Sequence, residues 1–552
     1  MRDAILRCFP FLLLSLLVAA QERPGDGADD SCTDIVVGRL ASTDGSVINS
    51  HTGCCDECRV HVVEGRTFAK GAMADVHYGL QDSRTELRDY GQVIGQIPQV
   101  ERTYTYFHTG YPQMNEHQLV IAESTLSQRD ELKCSFGNCK QIMTIEQAQV
   151  FALQRCRTAR EALTVITELV DTYGFLPSCG PESEALCISD PNEAWVLEVF
   201  AVGPDWDPDS GKAGAIWAAQ RVPDDHVCIV PNWSIIKEVD PSKPETWRAS
   251  KNHRQFAIDR GWWNPRMGPF VWQKVYAPQP REWAVGRLWL FYSTYAPTLR
   301  AWPDKRQLAS MDSYDAYHQY VEDISIYPFS VAPERKLSVQ DVIAFQRSVF
   351  DGTIYDMTTD LDWLVPDGEG GMKKSPLTTP FPTRDMRQLL DIVYRRMVSR
   401  GGYGMVAQSR SWLPDAIGGV YWLYLDNQYT STYVPIYAGA RRMHPTYQTW
   451  NPDRFAETSA RWNIDMVDNL LYLKWQEAIE DLRAVRDPLE QSFFAGQARF
   501  EKQALKAMQQ DPAQAALMLT EYTNACMAKT VQMYRQLRGT LITKYTNNKQ
   551  GV

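Results

Sequence analysis

At 552 residues, 44% hydrophobic and 22% charged, the chain carries enough apolar material for one large core or two moderate ones. A net charge of −10 argues against nucleic acid or an anionic membrane surface as a partner. It excludes little among small neutral or zwitterionic ligands.

In chain order, Arg2 and Arg7 precede the apolar run from Phe11 to Ala20, which is too short to span a bilayer. The run closes on Val18-Ala19-Ala20, a small-residue cleavage pattern. Residues 1–20 are therefore expected to be a removable signal peptide. The mature chain would keep no membrane segment and reside in a secretory compartment, secreted or periplasmic. Residues 21–31, "QERPGDGADDS", are acidic, hold no large apolar residue and are expected to be disordered.

"TDIVVG" and "GSVINS" predict two strands joined by a turn over residues 42–45, with further strands over 118–124, 194–200, 214–222 and 226–232. Thr144 to Tyr173 has helical spacing, with Ile145, Ala148, Ala152, Ala159, Leu163, Ile166 and Val170 close to one stripe. Ser338 with Asp341 three residues on predicts a capping box opening "SVQDVIAFQRSVF". Beyond the Gly/Pro-rich loop 365–383, strands return over 419–425 and 431–437. From about Asp453 to near residue 545 the pattern is helical, with interruptions expected at Pro488 and Pro512. Strand clusters separated by amphipathic helices, without regular βαβ alternation, predict an α+β chain of antiparallel sheets covered by helices. The Trp and Tyr residues of "GWWNP" and "GVYWLYL" read as core.

Twelve cysteines suit an oxidising compartment, and ten remain once Cys8 of the signal and Cys32 are set aside. Cys134 and Cys139 flank the loop "CSFGNC", Cys179 and Cys187 flank another, and Cys54, Cys55 and Cys58 crowd together. Disulfides are the expectation, with connectivity open. The stretch "HTGCCDECRVH" also gathers three Cys with His51 and His61, potential zinc ligands, but it lacks a second Cys-x2-Cys knuckle. No motif for ATP, dinucleotide or a catalytic metal occurs, so no cofactor and no metal are expected.

Cys32 admits three readings. A lipid anchor needs small and apolar residues immediately before the cysteine, whereas Asp29-Asp30-Ser31 precede it. A disulfide is the ordinary alternative. The third is an N-terminal nucleophile: cutting the Ser31–Cys32 bond gives Cys32 a free α-amino group with a pKa near 8, beside its own thiol. One residue then supplies both nucleophile and base.

The stretch "CTDIVVGRLASTDGSVI" resembles the mature N-terminus of the PepD-like cysteine dipeptidases, N-terminal-nucleophile (Ntn) hydrolases related to secernins. The resemblance continues in order through "YPQMNEHQLVIAEST", "RCRTAREALTVITELVDTYGF", "CISDPNEAWVLEVFAVGP", "GAIWAAQRVPDDHVCIVPN" and "MVAQSRSWLPDAIGGVYW", from Cys32 to about residue 440. It implies a four-layer αββα sandwich over residues 32–450, following a signal peptide (1–20) and an acidic propeptide (21–31). Residues 451–552 then form a C-terminal helical extension. It also implies hydrolysis of dipeptides or short peptides with a free amino end, after self-cleavage at Ser31–Cys32, and a possible homo-oligomer.

Carried over by motif, Asn115 in "MNE" is the expected oxyanion donor, an uncharged amide suiting that task, with a turn residue as the alternative. Asn232, ending "HVCIVPN", matches an Asn near the nucleophile's amine. It also opens the sequon "NWS", and a glycosylated Asn must be exposed, so the two readings exclude each other. Where many family members carry an Arg-Asn-Glu-Asp-like run, this chain reads "SHTGCCDECR". Asp56 and Arg59 are its nearest chemical equivalents for holding the α-amine, with His51 in the usual arginine's place. Arg410 in "AQSRSWLP" offers a bidentate partner for a substrate carboxylate or an ordinary ion pair. Glu116 offers a partner for a substrate amine or for the strands. Other functions open at this point are an Ntn amidase of acylase type and a catalytically silent member kept for binding or assembly.

Overall fold

The computed structural model describes residues 32–53, 57–81, 91–278, 282–299, 327–353, 355–392, 397–399 and 401–546. The expected signal peptide and propeptide, with Cys54, Cys55 and Asp56, lie outside the described residues.

In chain order the first strands are β1 (Asp34–Val37), β2 (Val47–Gly53), β3 (His61–Val63), β4 (Met73–Tyr78), β5 (Gln92–Pro98), β6 (Tyr106–His108), β7 (Pro112–Asn115) and β8 (Val120–Leu126). Next come β9 (Ser183–Ser189), β10 (Ala194–Phe200), β11 (Ile216–Val222), β12 (Val227–Val230) and β13 (Trp247–Ala249). The last are β14 (Leu364–Pro366), β15 (Met372–Lys374), β16 (Tyr403–Ser409), β17 (Val420–Leu425) and β18 (Val434–Tyr437). The longer helices are α1 (Ile145–Arg155), α2 (Ala159–Tyr173), α3 (Glu282–Tyr295), α4 (Val339–Gln346), α5 (Ala460–Leu471), α6 (Trp475–Gln510) and α7 (Pro512–Tyr545).

Two antiparallel sheets hold the core. A six-stranded sheet runs β12-β1-β2-β16-β17-β18, and an eight-stranded one runs β13-β11-β10-β9-β8-β7-β6-β3. β1 and β2 form the expected hairpin, with Ile35 opposite Ser50 and Val37 opposite Ile48. Every residue of β1, β2, β8, β9, β10, β16 and β17 is buried, which requires cover on both faces. β1 and β2 supply one side by facing β8 and β9. Helices α1 and α2 lie on β7, β9 and β10, α4 lies on β2 and β16, and α5 and α7 lie on β17 and β18. The chain is α+β. Tyr421, Trp422 and Tyr424 of "GVYWLYL" are fully buried, as a core reading requires, while Trp262 and Trp263 of "GWWNP" are only half-buried.

Two helix expectations need correction. The stripe from Thr144 to Tyr173 is two helices. Thr144 caps the first, and the chain turns extended at Cys156. Thr158 and Glu161 then build a reciprocal capping box that restarts the second. Apolar spacing alone does not register this interruption, because the stripe keeps its phase across the break. In the tail, Pro512 does begin a helix, at its first turn behind the cap Asp511. Pro488, however, sits inside the continuous helix α6. An interior proline costs about 3 kcal/mol. Two residues on, Glu490 ties the helix to the fold: it forks onto Arg347 at 2.7 and 2.8 Å and accepts the Tyr433 N–H at 2.8 Å.

Among the described residues Cys134, Cys139, Cys156, Cys179, Cys187, Cys228 and Cys526 are free thiols. The expected closeness of Cys179 and Cys187 does not lead to a bond. Cys179 meets the Tyr111 hydroxyl at 2.9 Å, while Cys187 lies within β9.

Candidate active site

Cys32 lies immediately before β1 and is 1% exposed. Its position is fixed through its own backbone and that of Thr33. The Thr33 N–H donates to Thr52 Oγ1 on β2 at 2.7 Å. From the far side comes Arg287, in the middle of α3 and fully buried. Its Nη1 donates to the Cys32 carbonyl at 2.8 Å and to Thr33 Oγ1 at 2.6 Å. Its Nη2 donates to the Pro231 carbonyl at 2.9 Å and to Asn232 Oδ1 at 3.1 Å. The planar fork thus joins the head of β1 to the segment leaving β12.

Asn232 is fully buried with φ of 61°, a left-handed conformation that asparagine tolerates better than most residues. Its N–H donates to Ser124 Oγ at 3.0 Å and its Nδ2 to the Thr125 carbonyl at 3.1 Å, tying it to β8. The second amide hydrogen is uncommitted among the described residues. The turn is held from below by Glu198 on β10. Its carboxylate accepts from Ser234 Oγ (2.6 Å), Ile235 N (2.7 Å), Ile236 N (3.1 Å) and Trp272 Nε1 (2.7 Å).

Strand alternation puts Asp34 on the face that Cys32 occupies. Asp34 Oδ1 meets His51 Nδ1 at 3.1 Å, and both side chains are buried. Burial pushes the Asp34 carboxyl well above the usual carboxylate range, helped by the negative charge of Glu123, and pushes His51 down to about 4. Burial thus disfavours the charged form of each partner. The His51 ring lies 5.7 Å from both Tyr111 and Tyr403. Behind β8, Glu123 and Glu184 share one face through the pairing of Thr125 with Glu184, and burial followed by repulsion from Glu123 raises Glu184 well above its ordinary range.

Residues 31–487 match the model of peptidase family C69. The chain belongs to that family. It is 22% identical to a "Probable dipeptidase" of Latilactobacillus sakei, over 78% of this chain and 79% of that protein. It is 21% identical to a "Probable dipeptidase" of Salmonella dublin, over 76% of this chain and 84% of that one. A "Probable dipeptidase B" of Streptococcus pyogenes serotype M1 is 20% identical over 72% and 70%.

Within this C69 chain the residues singled out from sequence separate into two groups. Cys32 and Asn232 come together, bridged by Arg287. The complete burial of Asn232 leaves no room for a glycan on it in the folded chain. Asn115 lies elsewhere. Its Nδ2 donates to the carbonyls of Leu153 (2.9 Å) and Cys156 (2.8 Å), and its Oδ1 accepts the N–H groups of His117 and Leu119. Both amide hydrogens are spent on backbone, so the structure gives it the turn role and no donor is left for an oxyanion. Glu116 accepts the Thr105 N–H and pairs with Arg441 at 3.1 Å, a partner of the strands.

Arg410 is 5% exposed and forks onto Glu501 of α6 at 2.7 and 2.9 Å, with two further donors going to the Gly418 and Ile417 carbonyls. It anchors the helical tail, with four of its five N–H donors committed within the fold. Arg59 forks onto Glu57 through Nε at 2.8 and 2.9 Å. Ser31 and Asp56 lie outside the described residues.

Arg287, Thr52, Ser124, Thr125 and Glu198 were not singled out from sequence. One signal was available for Arg287: it is a lone cation in the apolar run "AVGRLWLF", where an arginine is tolerated only with partners. Among the described residues no group of three or more His, Cys, Asp or Glu is placed to hold a metal ion. No helix among them is long and apolar enough to cross a membrane.

Proposed function

We propose that this C69 peptidase is a secreted cysteine dipeptidase with the four-layer Ntn-hydrolase architecture. Cleavage of the Ser31–Cys32 bond exposes Cys32 as nucleophile. The observation that supports this reading best is the Arg287 clamp, which fixes the backbone of Cys32 against a buried amide with one hydrogen to spare. The family match beginning at Ser31 and the dipeptidase names of the relatives point the same way.

In this mechanism the Cys32 thiol attacks the carbonyl carbon of the dipeptide while its α-amine takes the thiol proton. The tetrahedral oxyanion takes a hydrogen bond from Asn232 Nδ2. Collapse breaks the C–N bond, the α-ammonium returns its proton to the leaving amine, and a thioester remains. Water, deprotonated by the same α-amine, attacks the thioester and releases the acid and the thiol. Arg287 holds the geometry throughout and is a positioning residue. The Asp34–His51 pair gives the site a polar floor.

The test is the intact mass and N-terminal sequence of the mature protein beside a Cys32→Ala variant, followed by a dipeptide-hydrolysis assay. A wild-type chain starting at Cys32, with the variant retaining residues 21–31, is the expected result. If both chains begin near Gln21, Cys32 has no free amine, and a silent family member becomes the better account.

A further inference from the structure

The loop "CSFGNC" carries chemistry that peptide hydrolysis does not use. Cys134 follows the buried Leu132 and is itself buried, whereas Cys139 is partly exposed. Between them the chain closes on itself. The Ser135 N–H donates to Asn138 Oδ1 at 2.8 Å, and the Asn138 N–H donates to the Ser135 carbonyl at 3.1 Å. Gly137 takes φ of 92° at the tip, with open space where a Cβ would stand. This tight turn makes the two thiols close neighbours, and Cys139 Sγ donates to the Ser135 carbonyl at 3.2 Å.

The loop is anchored at its C-terminal end and at its tip. Gln141 Nε2 donates to the Gly203 carbonyl at 2.8 Å and Lys140 pairs with Asp207 at 2.8 Å, while the exposed Phe136 ring stacks on Tyr78 with centroids 4.7 Å apart. Forming a bond between these neighbouring thiols needs an approach of the sulfurs within this frame.

We propose that Cys134 and Cys139 are a redox modification site that closes to an intraloop disulfide by exchange with a low-molecular-weight disulfide. The Cys139 thiolate attacks one sulfur of the small disulfide, forming a mixed disulfide and expelling one small thiolate. Cys134 then attacks Cys139 Sγ, forming the protein disulfide and expelling the second. The two cysteines lose two hydrogens and two electrons, and the small disulfide becomes two thiols. The asymmetry of the pair supports this order. The hydrogen bond from Cys134 brings Cys139 down to about 7, near the optimum for an attacking thiol, while the same contact and burial push Cys134 up. The product staples the turn that holds Phe136 on Tyr78.

The experiment incubates the reduced full-length protein with glutathione disulfide, blocks remaining thiols by alkylation and maps the peptides by mass. The expected result is a peptide spanning residues 134–139 that has lost two hydrogens and takes no alkylating agent. In a Cys134→Ser variant, Cys139 is expected to stop at the mixed disulfide with glutathione. In Cys139→Ser, Cys134 is expected to remain a thiol. Two alkylated thiols in the wild-type protein, or a wild-type Cys139 that stays glutathionylated, would overturn the proposal. Dipeptide turnover is measured on Cys139→Ser after reduction and is expected to match the wild type. The disulfide and the peptidase reading therefore fail or stand separately.

Discussion

Arg287→Lys is the substitution that most directly probes the site, because it keeps the charge and removes the fork. The guanidinium spans two pairs of acceptors, Cys32 O with Thr33 Oγ1 on one side and Pro231 O with Asn232 Oδ1 on the other. An ammonium is a point donor on a shorter reach and can serve one pair only. Two hydrogen bonds to a charged donor are lost, each worth about 1.5–3 kcal/mol. At the low end the sum is about 3 kcal/mol. If it appears in the transition state, kcat/KM falls by roughly two decades, at about 1.4 kcal/mol per decade. The loss should be mainly in kcat, since the clamp touches the nucleophile and its amide. The assay is dipeptide hydrolysis at neutral pH, with circular dichroism for folding and N-terminal sequencing for processing. A folded, fully processed Lys variant within about threefold of wild type would refute the positioning argument.

Other consequences follow from the same contacts. Glu198→Gln leaves at least one of four donors facing an amide NH2, so unfolding free energy should drop by about 3–5 kcal/mol in urea titration, together with kcat. Glu501→Ala should cost a similar roughly 3–5 kcal/mol by leaving Arg410 charged and buried, with KM unchanged; a large rise in KM would return Arg410 to the substrate. Asn232→Ala should abolish measurable turnover, while Asn115→Ala should lower stability and leave the kcat of the folded fraction near wild type. Burial takes His108 down to about 3 and His61 to about 4. The unfolded chain binds these protons from pH 6.5 downward and the folded chain refuses them, so their contribution is full above pH 6.5 and drains as pH falls towards 3. A His108→Gln variant should therefore lose less stability than wild type between neutral pH and about pH 4, read as urea midpoints.

Local pattern was enough for much of the fold. The strand-like runs "TDIVVG" and "GSVINS" about the turn at 42–45 place the β1–β2 hairpin, and Ser338 with Asp341 forms the expected capping box. These are short-range effects, set by residues within a few positions of one another. The family was also legible, because the residues after Cys32 form ordered motifs that the family match covers. The roles of Asn115 and Arg410 were not legible. Each bears a side chain suited to substrate binding, and each is claimed by backbone groups or a carboxylate brought in by the fold.

What the sequence by itself determined is the chemistry available at Cys32 and the order of strands that carries it. The tertiary structure decided which groups surround that residue. Arg287 is separated from Cys32 by 255 positions and Asn232 from Arg287 by 55, and no local spacing encodes their meeting. The fold decides it because a buried guanidinium must satisfy its donors, and only the packing of α3 beside β12 and the residues leading into β1 brings four acceptors within its reach.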